Sequence, residues 1–303
     1  YQLVFVKLNW RADNNRDSIP IKYNDIENEI NKICNFKYDT YDIDYNLIEC
    51  PINGVHSWNH QFDWNNKTTF YNLYGKSEEY ISFPTKQNYN NIALYAHSDK
   101  DCILRDYVIK GIITLMCLGY YVVLCTTCIN FKNCTNLPIE VIKYENSKVD
   151  SNMFKNYINQ NITKLKKYEN ILLINDSILF PIHGMNNMKT TINNMRKISD
   201  FWGIWNSNEN KLHIMSPFIE FKNKILNDLN DYLTDNNPIC FESGILLELN
   251  LLEHFTKLRY KYNVVVDYKS LGNLNYVCPI MHPHIFPKWI NRLEVFAIKW
   301  KYI

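Results

Sequence analysis

Asn175, Asp176 and Ser177 are the residues whose types and spacing most suggest chemistry, because they abruptly end an apolar run, Ile171 to Ile174. A short unbroken run of that kind suits a strand buried on both faces. Its carboxyl end would then face the crevice in which open α/β sheets bind ligands. An Asp placed there can hold a divalent cation against a diphosphate, with Asn175 and Ser177 adding neutral oxygen ligands or hydrogen bonds. The same three residues also make ordinary turns by bonding their own backbone, so taken alone they leave both readings open.

Other groups offer weaker chemistry. Trp58, His60, Phe62 and Trp64 surround Asp63 and would suit either stacking on a sugar or burial of their own apolar area, the commoner use. Cys125-x-x-Cys128 has no second Cys-x-x-Cys or His pair at zinc spacing, although Cys134 follows, and this favours buried thiols over a metal site. Glu242 opens a periodic segment, where a carboxylate favours the helix dipole whatever else it does. His282-Pro283-His284 lies near the carboxyl end, and histidine serves as a metal or phosphate contact or as a plain surface residue.

The elements that must position these residues can be read from periodicity. A strand at Ile92 to Ala96 runs into His97-Ser98-Asp99-Lys100-Asp101, and an amphipathic helix follows with Asp106, Lys110 and Thr114 as a polar stripe. Gly119 stops that helix before a strand from Tyr121 to Cys125. The uncharged stretch Gly111 to Ile129 is about long enough for a short bilayer span, but helix, glycine, strand is the better parse, and no transmembrane span is expected. Ile139 to Tyr144 reads as a third strand, and Phe154, Ile158 and Leu165 mark a helix over Met153 to Tyr168. Strand, helix, strand, strand, helix, strand predicts a largely parallel sheet. His97, the region of Asn146, and Asn175 would then share one edge. Further on, Met188, Ile192 and Met195 mark a helix and Asp200-Phe201-Trp202-Gly203 opens a strand or turn. Phe218, Phe221, Ile225 and Leu229 suggest another helix. Ile245, Leu249, Leu252 and Phe255 form the apolar face of the helix behind Glu242, and Val264 to Val266 is a brief strand.

Composition narrows the class. The chain has 303 residues, 46% of them hydrophobic and 15% aromatic, enough for a full core in one large domain or two modest ones. Lys and Arg total 33 against 31 Asp and Glu, which leaves no electrostatic footprint for nucleic-acid binding. Nine cysteines cannot all pair within one chain, and reduced thiols point to a cytoplasmic setting. No secretory leader is visible, and a chain opening on Tyr1 is consistent with excision from something longer. Residues 1–88, rich in Tyr, Asn and Asp, form an irregular N-terminal block of unassigned role, with a short helix expected at Ile26 to Ile33. Residues 89–303 form the α/β domain.

An ordered series of motifs over Asn91 to Lys299 resembles the rhamnan synthesis protein F family of glycosyltransferases. Ala96-His-Ser-Asp-Lys-Asp101 with Asp106-Tyr107-Val108 is similar to the family's opening strand and helix. Asn146 and Asp150 fit N-x-G-x-D, Leu173-Ile-Asn-Asp-Ser177 with Pro181 fits N-D-S-x-x-G-P, and Asp200-Phe201-Trp202-Gly203 fits D-F-W-G. His213, Ser216 and Phe218 fall on H-x-Q-S-x-F, and Phe241-Glu242 on Y-E before a helix. Lys148, Ser151-Asn152, Phe180 and Met215 depart from the pattern.

The resemblance implies a GT-A-like fold, a mostly parallel sheet flanked by helices, and transfer of a sugar, usually L-rhamnose or a related deoxysugar, to a glycan acceptor, with inversion. The donor would be a dTDP-, UDP- or GDP-linked sugar and the cofactor a Mg or Mn ion. Asp176 would bind the metal and diphosphate with His284 as a second metal contact. His97, Asp99, Asp150 and Asn175 would hold the donor, Trp202 and Ser216 the acceptor, and Glu242 would be the general base. Two rivals stand beside it: a non-catalytic carbohydrate-binding module on a decayed transferase fold, and another nucleotide-using α/β enzyme. The sequence lacks the G-x-G-x-x-G or Walker loop that the second would carry.

Overall fold

The computed structural model describes residues 40–41, 47–48, 89–131, 139–145, 147–182, 184–270 and 295–299. The chain divides into two compact units, Tyr1–Asn72 and Leu73–Ile303. Within the first, Thr40–Tyr41 pairs antiparallel with Leu47–Ile48. The helix expected at Ile26 to Ile33 and the aromatic group around Trp58 lie outside the described residues.

The second unit is built on one sheet. Its first three strands are β1 (Asn91–His97), β2 (Tyr120–Thr126) and β3 (Glu140–Lys143), with α1 (Asp106–Cys117) between the first two. Then come α2 (Asp150–Leu165), β4 (Asn170–Asn175), the short β5 (Ile178–Leu179), α3 (Gly184–Ile198), β6 (Phe201–Ser207) and the short β7 (His213–Ile214). The order closes with β8 (Phe218–Lys222), α4 (Leu226–Asn236), α5 (Phe241–Lys257), β9 (Tyr262–Val266) and β10 (Ile298–Lys299). The sheet order is β9-β6-β8-β4-β1-β2-β3, with β7 added on β6. Neighbours pair in parallel except β8, which runs against both β4 and β6, and the short β7, which runs against β6. This is the mostly parallel arrangement flanked by helices that the motifs imply.

Every residue of β1 and β4 is buried, as strands covered on both faces require. On one face Ile92, Leu94 and Ile171 pack with Phe154 and Ile158 of α2, Leu229 and Leu233 of α4, and Leu251 and Phe255 of α5. On the other, Tyr95 meets α1 at Gly111, where an added Cβ would stand 3.0 Å from the Phe180 ring and 3.3 Å from the Tyr95 hydroxyl. Phe180, which departs from the family's glycine, is thus accommodated by a glycine elsewhere.

The span Gly111 to Ile129 is a helix, a reversal at Gly119 (φ 85°) and a strand. No helix among the described residues is long and apolar enough to cross a membrane. Of the expected polar stripe on α1, Thr114 is buried and Lys110 is half-buried, its pKa lowered to about 8 by burial. A second expectation needs correcting, because Phe218 to Lys222 is a strand and the helix begins only at Leu226. The helix-like spacing of Phe218, Phe221 and Ile225 misled because β8 is central and buried on both faces, so it shows no alternation. Buried Glu220 betrays no exposed side either. Arg196 grips it through Nη2 at 2.6 Å and Nε at 3.0 Å, with the Tyr120 hydroxyl at 2.7 Å and Trp202 Nε1 at 2.8 Å.

Candidate functional site at the carboxyl edge of the sheet

Because β1, β2 and β4 run in parallel register, His97 lies beside Thr126, and Ala96 beside Asn175. The chain leaves all three strands at one edge, which the sequence predicts for the ends at His97 and Asn175. Asn146, expected at the same edge, lies outside the described residues.

Asn175 joins the pieces there. Its side-chain nitrogen donates to Asp150 Oδ2 at 2.8 Å, which ties the end of β4 to the first residue of α2. Its side-chain oxygen accepts from the Ser177 backbone at 3.1 Å and the Ser177 hydroxyl at 2.5 Å. The amide is therefore a clamp, holding Asp150 on one side and the turn that carries Asp176 on the other. Asp176 is buried. Its N–H donates to the Ala96 carbonyl at 3.0 Å, its Oδ2 accepts from the Ser98 N–H at 3.2 Å, and its carbonyl accepts from the Tyr107 hydroxyl at 3.0 Å. Burial first, then the negative charges of Asp176 and Asp99, push the Tyr107 phenol far up, so this hydroxyl stays a donor.

Asp99 serves the loop between β1 and α1. Its Oδ1 accepts from the N–H groups of Asp101 at 2.9 Å and Ile103 at 3.3 Å, and its Oδ2 from Arg105 Nε at 2.9 Å. Burial alone would raise its pKa, but the Arg105 bond and the two amides outweigh it and hold the carboxyl below its usual value. His97 is buried with Nδ1 at 3.1 Å from the Thr126 hydroxyl. Asp99 and His97 thus shape the loop over Asp176.

The remaining predicted residues fall in different places. Trp202 is buried against Phe218 and Phe296 and bonded to Glu220, so its ring is in the core. Asp200, an alternative acid just before β6, is at the opposite edge, held by Lys224 at 2.8 Å. Glu242 is exposed in the first turn of α5, its pKa lowered by its own N–H and then by the Cys240 thiol. That turn nonetheless lies close to Asp150, since a Cβ on Gly244 would stand 3.5 Å from Val149 and 3.8 Å from the Ser151 hydroxyl. His284 lies outside the described residues.

Ser216 lies beside the end of β4: the neighbouring Pro217 carbonyl accepts the Asn175 N–H at 3.2 Å. Ser216 also hydrogen-bonds Glu248 of α5, which His213 Nε2 approaches to 3.8 Å. Burial raises the Glu248 pKa, and the bonds from Ser216 and the charges of His213 and Lys299 offset this in part. Glu248 is the residue that the sequence reading missed. Its one signal was a charge within Leu246-Leu-Glu-Leu249, where the buried positions Leu247, Leu251, Leu252 and Phe255 place it at the margin of the packed face.

The family model for rhamnan synthesis protein F matches residues 129–299, more than half of the chain. The chain belongs to the rhamnan synthesis protein F family. Membership supports glycosyl transfer as the general class of its chemistry. No curated protein matches by sequence. Among solved structures, a glycosyltransferase involved in the glycosylation of the major capsid of PBCV-1 is similar at 12% identity and a TM-score of 0.43, over 69% of this chain and 91% of that one. A 4-diphosphocytidyl-2C-methyl-D-erythritol synthase is similar at 14% identity and a TM-score of 0.38, over 69% of this chain and 99% of the other. At that distance neither likeness bears on activity.

Proposed function

We infer that this chain transfers a sugar, L-rhamnose or a related deoxysugar, from a nucleotide sugar to a glycan acceptor with inversion at the anomeric carbon. The observation that carries the reading is the end of β4, where Asn175 holds Asp150 and the next residue, Asp176, is bonded under the loop leaving β1. A nucleotide sugar laid along that edge would put its diphosphate over the Asp176 turn and its nucleoside against the loop organised by His97 and Asp99. Two carboxylates beside a diphosphate need a cation between them. Mg or Mn suits such a place because it takes one or two protein carboxylates and draws its other oxygens from phosphate and water. When bound it would offset charge on the departing diphosphate.

The chain's own residues do the rest. Tyr107 and Ser98 fix Asp176, Asn175 fixes Asp150, and a carboxylate of α5 takes the acceptor proton. Calorimetric titration of the full chain with dTDP-, UDP- and GDP-sugars, with and without EDTA, tests this reading. Micromolar to millimolar binding of one donor, at least tenfold weaker in EDTA, is the expected outcome, together with release of the nucleotide diphosphate when an acceptor is supplied. Donor binding with no turnover over a broad acceptor panel would instead favour a non-catalytic carbohydrate-binding module.

A further inference from the structure

Among the described residues Glu220 and Glu248 are both partly or wholly withdrawn from water, and their surroundings differ in kind. Glu220 is saturated by Arg196, Tyr120 and Trp202, as a structural ion pair must be. Glu248 keeps 21% of its side chain exposed and meets a hydroxyl and an imidazole. That imidazole is oriented. His213 Nδ1 lies 2.8 Å from the Lys211 carbonyl oxygen, so Nδ1 carries the hydrogen it donates there and Nε2 is turned to Glu248. Gly203 makes the arrangement possible, because a Cβ there would collide with Ile214 and β7 could not lie so close over β6. The charged groups near Glu248 are His213 on β7, Lys299 on β10 and, at the turn before β7, Lys211, which is itself bonded to Glu253 at 2.8 Å and Asn250 at 2.6 Å. Through Ser216 and Pro217 the carboxylate is joined to the strand end that carries Asp176.

We propose that Glu248, held by Ser216 and His213, is the general base that receives the proton of the acceptor hydroxyl. The assignment rests on glycosyl transfer at the Asp176 crevice. As the acceptor oxygen forms its bond to the anomeric carbon, the bond from that carbon to the diphosphate oxygen breaks. Its electron pair leaves on the diphosphate, and the hydroxyl proton passes to Glu248. A carboxylate whose burial favours the protonated form is a better base than the exposed Glu242, whose own amide stabilises its charge.

The test uses the full chain, with dTDP-, UDP- and GDP-sugars as donors and p-nitrophenyl glycosides as acceptors. Glu248→Gln is expected to bind donor within about twofold of wild type and to melt no lower. It transfers about 10²- to 10⁴-fold more slowly and loses the acidic limb of the kcat profile. In His213→Gln the acidic limb moves to higher pH, because the electrostatic contribution of His213 that favours the carboxylate is lost. Transfer by Glu248→Gln within tenfold of wild type overturns the assignment, as does a rate loss seen in Glu242→Gln instead. Should Glu248→Gln fail to fold, the His213→Gln profile decides, and an unmoved limb overturns the proposal. A wild-type chain that binds no donor and transfers nothing contradicts glycosyl transfer itself, and the base assignment falls with it.

Discussion

Asp99 and Asp176 are adjacent acids whose roles diverge through their partners. Asp99 spends both oxygens on its own loop, whereas Asp176 is bonded through backbone groups on either side and by one amide at Oδ2. Asp99→Asn is therefore expected to loosen the loop between β1 and α1, costing about 2 kcal/mol near neutral pH, the scale of a hydrogen bond to a charged group. Its folded pKa is depressed, so the stability it contributes is present above the ordinary carboxylate value. That contribution is lost as pH falls through the depressed folded value. Melting curves of wild type and Asp99→Asn should thus converge in acid, and a gap that persists at pH 2 would contradict this role. At this scale the sequence showed which residues gather at the sheet edge, because strand ends and turn formers are local signals. It did not show that Asn175 clamps Asp150, or that Trp202 faces inward to Glu220, because both depend on partners distant in the chain.

Helices and strands were legible where their period is exposed. β1, β2, β4 and α2 follow the predicted pattern within a few residues, since runs of apolar residues bounded by Asn, Asp and Gly are strong local signals. The reading faltered at β8, whose two covered faces erase alternation, and at the rotation of α5. Leu247, Leu251, Leu252 and Phe255 are buried there, while Ile245 and Leu246 are exposed at 42% and 58%. Of the predicted face, Leu252 and Phe255 are buried but Ile245 is exposed, so the packed surface is rotated in the first turns, with Glu248 at its margin and Glu242 outside. Leu251→Ala should cost about 2–5 kcal/mol in urea unfolding, the range for truncating a buried leucine. Ile245→Lys should change stability by less than about 0.5 kcal/mol. Equal losses from the two substitutions would show that the helix sits otherwise.

Across the whole sheet, the carboxyl edge of β1, β2 and β4 carries the Asp176 turn, and the start of β8 brings Ser216 and then Glu248 alongside. Reversal of β8 is what makes this possible, since a strand running with its neighbours would deliver its amino-terminal residues to the far edge, where Asp200 lies. In the proposed reading, one edge thereby offers a donor end at Asp176 and an acceptor end at Glu248. The measurement that bears most directly on this account is calorimetric titration of the preferred nucleotide sugar, in magnesium, into wild type and Asp176→Asn. The amide keeps the side chain's shape and its acceptor oxygen for Ser98, so the melting temperature should fall by no more than a few degrees, while loss of the charge weakens donor binding at least tenfold. A variant that binds the donor as tightly as wild type would show that the diphosphate does not sit at Asp176, and the functional reading built on that edge would be wrong.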